Sequence, residues 1–305
     1  MSTPESQLRV RGLVPILATP FDATGALDVP GLRRLVEFQL AAGADGVAVF
    51  GLASEGFALT TAERATILAE TRGVAGPEVP LVAGVNATST STSIEQALAA
   101  RDGGADALMV LPPYLVKPTG GQVVDFYGTV AERSGLHVMV QDAPTSTGVS
   151  MPVPLIVELS KLTGVESVKV ESQPTAPKVG DVVTATDGQF DVLGGQNAFF
   201  VLEEYARGAV GTMPACEFTD LLAPILADWR AGHHRSAHEA FTQLLPLVRF
   251  GLQQGLAWAV HKEVLVRRGI IDCAFVRDPA AALDAGSQAA LDSILSLTPL
   301  PSWRT

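Results

Sequence analysis

Lys169 and Glu171 stand two residues apart in SVKVE, a short β-branched segment closely followed by Pro174. Burying an ammonium without a partner is costly, so a lysine set between Val168 and Val170 calls for a physical reason. Successive side chains of a strand point to opposite faces, which puts the two valines on one face and Ser167, Lys169 and Glu171 on the other. The valine face suits a helix layer; the lysine and glutamate then face the interior. Burial favours the neutral form of an amine, and a neutral amine attacks a carbonyl carbon to form an imine. An ion pair on an exposed strand end explains the same alternation equally well, so the residues alone leave both readings open.

Other chemistry-bearing residues have plainer expectations. His233, His234 and His238 have helical spacing but follow a glycine in a polar stretch, which fits a solvated helix start better than a metal site. His261 and Lys262 are expected at the surface or in a subunit contact. Glu217 either caps a helix or faces substrate, and Glu55 is expected to satisfy loop amides. Asn86 and Asn197 are candidate donors to a polyol, or simply structure their loops.

Elements that could position these groups are legible as short apolar runs alternating with amphipathic stretches. GLVPILA (12–18), DGVAVFG (45–51), PLVAGVNA (80–87), ADALMVL (105–111), LHVMVQDA (136–143), ESVKV (166–170), FDVLGG (190–195) and AVGTMPA (209–215) read as strands. Continuous apolar strands, each followed by a helix, predict a parallel sheet covered by helices. AAGADGVAVFG, DGGADALMVLP and ARGAVGTMP repeat one logic, a helix ending at glycine with a strand close behind. Eight such units predict an α/β fold, a (β/α)₈ TIM barrel over residues 8–231. A doubly wound open sheet is the alternative, but no G-x-G-x-x-G follows the first strand. The polar run ATSTSTS (87–93) reads as a loop and helix N-cap. From residue 232 to 305 the pattern is helical without strands, predicting a C-terminal helical extension packed on the barrel or on a neighbouring subunit.

Composition narrows the function classes. Of 305 residues, 47% are hydrophobic and 17% charged, enough for one large core. The net charge of −11 makes nucleic acid and anionic membranes poor partners. The start, with Glu5 and no apolar run, carries no visible leader, no segment reaches membrane-spanning length, and two cysteines make no disulfide framework. A cytoplasmic protein with buried free thiols at Cys216 and Cys273 is the expectation.

Barrel active sites form at the C-terminal ends of the strands, and the motifs there carry a resemblance. LATPF (17–21), GLASEGFALTTAER (51–64), PPYLVKPTG (112–120), QDAPTSTG (141–148), SVKVE (167–171), LGGQNAF (193–199) and GAVGTMPA (208–215) occur in order over nearly the whole chain. In these the chain resembles the dihydrodipicolinate synthase / N-acetylneuraminate lyase family of class I lyases. The resemblance implies a TIM barrel with a three-helix extension, a homotetramer, and a Schiff base between Lys169 and a 2-oxo acid such as pyruvate. Backbone amides at Leu52, Ala53 and Ser54 would hold the substrate carboxylate, with Tyr114, Asp142 and Gly195 as further substrate contacts.

Departures from the family pattern shape the expected reaction. Its G-T-T-G-E motif is here Gly51-Leu52-Ala53-Ser54-Glu55, which lacks the relay hydroxyls. Its strand-five tyrosine aligns with Gln141, a second tyrosine with Leu115, and the synthase arginine with Ser146. An amide neither gives nor takes a proton usefully, and Ser146 offers no cation for a second carboxylate, so the synthase reaction itself is not expected. An imine without the tyrosine can still eliminate: Glu171 would remove a C3 proton, the enamine would expel the C4 hydroxyl as water, and Ser54 or Asp142 would assist. QDAP with K-x-E looks like the branch of 2-keto-3-deoxyarabonate-type dehydratases. The expected function is therefore a hydro-lyase of a 2-keto-3-deoxy sugar acid with Lys169, Glu171 and Gln141 at its centre. Pyruvate-dependent aldol or retro-aldol chemistry is the second reading. A non-catalytic 2-oxo-acid-binding protein is the third, against which the retained Lys169 and Glu171 speak. No metal or organic cofactor is expected, because the lysine is the electron sink.

Overall fold

The computed structural model describes residues 9–298 and 300–303. The stretch around Glu5, and residue 8 as the expected first residue of the barrel, lie outside the described residues.

The eight apolar runs all become strands: β1 (Gly12–Leu13), β2 (Val47–Val49), β3 (Leu81–Val85), β4 (Ala107–Val110), β5 (His137–Asp142), β6 (Val165–Val170), β7 (Asp191–Gly194) and β8 (Gly211–Thr212). Every neighbouring pair is parallel, in the order β1-β8-β7-β6-β5-β4-β3-β2. The Ile16–Ala48 bridge, with Leu17 N donating to Ala48 O at 2.8 Å, joins the continuation of β1 to β2 and closes the ring.

Helices follow the strands in turn. After β1 to β4 come α1 (Val29–Ala41), α2 (Thr61–Ala75), α3 (Thr90–Asp102) and α4 (Gly120–Ser134). The short α5 (Pro144–Thr147) and α6 (Val153–Leu159) follow β5; α7 (Thr175–Ala185), α8 (Val201–Tyr205) and α9 (Thr219–Arg230) follow β6, β7 and β8. Side-chain caps fix where several begin. Thr60 and Glu63 form a capping box at α2, as do Thr119 and Gln122 at α4, and the Ser89 side chain in the polar run caps α3. Gly104 and Gly208, in two of the repeated helix-to-strand turns, take φ of 88° and 95°, where a β-carbon would be strained.

The alternation read from β6 holds. Val168 and Val170 lie in the layer between sheet and helices with Val138, Val140, Phe126 and Val179. Inside the ring, Val14, Ile16, Val82, Met109, Met139, Leu193 and Met213 form a separate cluster that plugs the barrel below the mouth. Each such fully buried aliphatic side chain contributes roughly 1.5–3 kcal/mol.

Beyond the ring, α10 (His234–Phe250), α11 (Ala257–Arg267) and α12 (Ala285–Leu297) form the extension. It packs on the barrel through Leu244, Leu247, Val260, Val264 and Leu291 against Leu13, Val201, Phe218 and Leu222. His233, His234 and His238 are exposed, His234 stacking on Trp229 at 4.2 Å. Among the described residues no cluster of three acidic, histidine or cysteine side chains is placed to hold a metal ion, and no helix is long and apolar enough to cross a membrane. Cys216 is buried and Cys273 only half-buried; both are free thiols.

Candidate active site

At the C-terminal ends of the strands lies a cavity of about 1110 Å³. The register sets its floor: Gln141 of β5 pairs with Lys169 of β6, so both face inward, while the next pair, Asp142 and Val170, faces the helices. Lys169 is buried, 4% exposed, and reaches the cavity with its amine. Its Nζ is 3.3 Å from Oε1 of Glu171, the residue just after β6, which also lines the cavity.

Glu171 is fixed from three sides. Gln141 donates its Nε2 to Glu171 Oε2 at 2.8 Å. Its backbone N–H donates to Asp142 O at 2.9 Å, and its backbone carbonyl accepts from Gln196 Nε2 at 2.7 Å. Its side chain also packs on bare backbone: a β-carbon on Gly195 would lie 2.4 Å from Glu171 Cγ. A carboxylate so held has one oxygen committed to an amide and the other turned to the lysine.

Across the mouth, the β2 loop turns through a 3₁₀ segment, Leu52–Ser54, whose own bonds run from Ser54 N to Gly51 O and from Glu55 N to Leu52 O. The N–H groups of Leu52 and Ala53 have no partner within that turn, and both residues line the cavity. Tyr114 lines it too, its hydroxyl donating to Asn86 O at 3.3 Å.

Of the residues nominated from sequence, Lys169, Glu171, Leu52, Ala53 and Tyr114 therefore meet around one cavity, while Gln141 and Gly195 touch it through Glu171. Two are placed elsewhere. Asp142 was expected to contact substrate, but strand alternation sends its carboxylate to the helix side, where Lys178 Nζ lies 2.6 Å away. Burial pushes that carboxyl up, and Lys178 pulls it back. Ser54 points away as well: its hydroxyl is buried without a partner, and its carbonyl accepts from the Thr19 hydroxyl at 2.6 Å.

A larger correction concerns the extension. His261 and Lys262, expected at the surface or in a subunit contact, are both buried within the chain itself. The segment from Gly251 to Gly255, with Ala257, Trp258 and His261, forms one wall of the cavity. Trp258 Nε1 donates to Leu52 O at 2.6 Å and so steadies the turn opposite Lys169. Lys262 forms a wholly buried ion pair with Glu55 beneath the Phe21 ring, and Arg277 N donates to the other Glu55 oxygen at 2.8 Å. Burial pulls the Lys262 ammonium down, and Glu55 opposes that. A signal for this was present: His261 and Lys262 have Ala257, Trp258, Val264, Leu265 and Val266 at helical spacings of three and four. Gln196, also on the cavity wall, was not nominated; it sits in a left-handed turn with Asn197 and Ala198, at φ of 49°, 53° and 60°, for which Asn197 was the one local signal.

A closed ring of eight parallel strands, with a buried lysine rising from the sixth into a cavity at the strand ends, defines a TIM-barrel enzyme. The Dihydrodipicolinate synthetase family model matches residues 9–298. The chain belongs to that family and is a lyase of it. It is 32% identical over 303 residues to the L-2-keto-3-deoxyarabonate dehydratase of Azospirillum brasilense, covering 96% of each chain. It is also 30% identical over 290 residues to 4-hydroxy-tetrahydrodipicolinate synthase 1 of Streptomyces coelicolor, covering 90% of each. Among solved structures, the dihydrodipicolinate synthase of Rhodopseudomonas palustris superposes with a TM-score of 0.89 at 28% identity, over 94% of this chain and 97% of that one.

Proposed function

We propose that this chain forms a Schiff base between Lys169 and C2 of a 2-oxo acid and eliminates water from a 2-keto-3-deoxy sugar acid. The observation that carries the reading is the Lys169–Glu171 pair in the cavity, 3.3 Å apart, with an amide rather than a phenol behind it. Likeness to the Azospirillum dehydratase over 96% of the chain supports the same choice.

The Lys169 amine adds to C2 and the carbonyl oxygen leaves as water. The N–H groups of Leu52 and Ala53 receive the carboxylate, as the free donors at the start of a helical turn can. The protonated imine draws electrons from the C2–C3 bond region, so C3 becomes acidic. Glu171 takes the C3 proton and returns it to the C4 hydroxyl, which the enamine expels as water. With a pentonate, a proton shift from C5 then turns the unsaturated alcohol into an aldehyde, and hydrolysis returns Lys169. Gln141 enters no proton step; it holds Glu171 toward the amine. Leu115 and Val116, 75% and 79% exposed on the loop after β4, support subunit contact at this rim in a homotetramer.

Borohydride reduction with pyruvate, followed by peptide mass mapping, tests the imine: an adduct on the Lys169 peptide is expected, and none with any 2-oxo acid would favour a binding protein. Product analysis with a 2-keto-3-deoxypentonate tests the reaction class. A 2-oxo semialdehyde without pyruvate is elimination; released pyruvate is aldol cleavage.

A further inference from the structure

The wall contributed by the extension holds a second carboxylate pair that the elimination steps do not use. Glu217, five residues past the pairing of β8 to β7 and β1, is fully buried, and its Oε1 lies 2.7 Å from His261 Nδ1. Its Oε2 has no partner. The backbone carbonyl of Glu217 is held by Arg268 Nη1 at 2.6 Å, so the carboxylate is anchored from below. The His261 ring packs against bare backbone, since a β-carbon on Gly251 would sit 2.8 Å from His261 Cε1 and 3.0 Å from Asn197 Nδ2. The ring also lines the cavity.

These contacts fix which ring atom is engaged. Nδ1 is taken up by the Glu217 carboxylate, and Nε2 is the ring nitrogen left for another partner. Pyruvate ends at C3, and its three carbons are used by the carboxylate turn and Lys169. Anything longer must run on toward the outer walls of the cavity, and His261, its ring held by Glu217, stands on one of them. Resting on the Schiff-base reading above, we infer that His261 is a specificity-determining residue whose Nε2 hydrogen-bonds a substrate hydroxyl beyond C3. Glu217 is its positioning residue: it holds the ring through Nδ1. The substrate class this selects is a 2-oxo acid with a hydroxylated tail, over a bare 2-oxo acid.

The test uses the full-length protein and two probes, pyruvate and a 2-keto-3-deoxypentonate. His261→Asn keeps an amide near the Nδ1 position for Glu217 but removes Nε2. His261→Gln places a polar atom near the Nε2 position. Pyruvate, with no atom past C3, reports the folded site through borohydride trapping at Lys169. In His261→Asn the pentonate KM should rise roughly three- to tenfold, the worth of one hydrogen bond to a neutral partner, with trapping retained. His261→Gln should recover part of that rise, and Glu217→Gln should show an intermediate one. An unchanged pentonate KM in His261→Asn, or trapping that falls in parallel with turnover, overturns the inference and makes the pair a fastening of the extension to β8. If wild-type protein forms no adduct with pyruvate, the Schiff-base reading itself fails, and this inference with it.

Discussion

Glu171 Oε1 lies 3.3 Å from Lys169 Nζ, while Glu171 Oε2 accepts a hydrogen bond from Gln141. One carboxylate thus meets both the amine that would form the imine and the amide of Gln141. Its partner Gln141 has nothing to ionise, which in the proposed reaction would divide the labour: the carboxylate would move protons and the amide would aim it.

That division predicts how Glu171→Gln behaves. The variant keeps the shape of the side chain and loses the base. Borohydride trapping of pyruvate at Lys169 should persist, while turnover of a 2-keto-3-deoxypentonate should fall about 10²- to 10⁴-fold, the usual worth of a positioned general base. Equal loss of trapping and turnover would assign Glu171 to imine formation instead.

Lys169→Arg tests the other member. Arginine retains the charge beside Glu171 but its guanidinium stays protonated and does not attack a ketone. Adduct formation and turnover should both vanish while the melting temperature stays within a few degrees of wild type. Residual turnover with an adduct on another lysine would move the site.

Gly195 is a test of packing beneath the chemistry. A methyl group there would meet Glu171 Cγ at 2.4 Å, so Gly195→Ala must push the carboxylate or the β7 turn aside. The expected stability loss is about 1–3 kcal/mol, as for other overpacked sites. The expected fall in kcat is larger than that in pyruvate trapping, because Glu171 moves while Lys169 does not. A variant with unchanged kcat would show that the exact seat of Glu171 is immaterial.

Much of this was legible in the chain. The eight strands were visible because apolar runs with β-branched residues alternate with amphipathic stretches; period-two alternation set Lys169 and Glu171 opposite the valines, and the family resemblance tipped the choice from an exposed ion pair to the inward lysine. The same rule applied to β5 places Asp142 outward once Gln141 is inward, so its nomination conflicted with the logic used for Lys169. The seven-residue α6 is too short for helical periodicity to be distinctive. The part played by the extension was not legible, because nothing local in AWAVHKEV tells which surface a buried helix face meets. Long-range packing puts His261 against Glu217, 44 positions away, and Lys262 against Glu55.

The Lys262–Glu55 pair makes that long-range contact measurable. Both side chains are fully buried, and Glu55 closes the turn that presents Leu52 and Ala53. Lys262→Met leaves a buried carboxylate without its cation and should cost about 3–5 kcal/mol. Adding Glu55→Gln should restore part of that loss, read as a positive coupling in a chemical-denaturation cycle. Additive losses would show that the two groups are stabilised independently. The pyruvate concentration giving half-maximal trapping should also rise in Lys262→Met, because the carboxylate turn loses its anchor.

Glu204 predicts how stability depends on pH. Its carboxyl is buried behind β7, where Gly194 leaves it room: a β-carbon on that glycine would lie 1.8 Å from Glu204 Oε2. Burial pushes this group from 4.5 up to about 7, with the neighbouring Thr175 hydroxyl pulling the other way. Between those two values the folded protein holds a proton that the unfolded chain has released. By linkage, this group's contribution is fully present below about pH 4.5 and is lost as pH rises toward 7, a change on the order of 3 kcal/mol. Glu204→Gln removes the titration and keeps the shape. Its melting temperature should therefore exceed that of wild type at pH 8 by a few degrees, with the gap closing or reversing near pH 5. Parallel melting curves across that range would place the Glu204 carboxyl in contact with water or with an unseen cation in the folded protein.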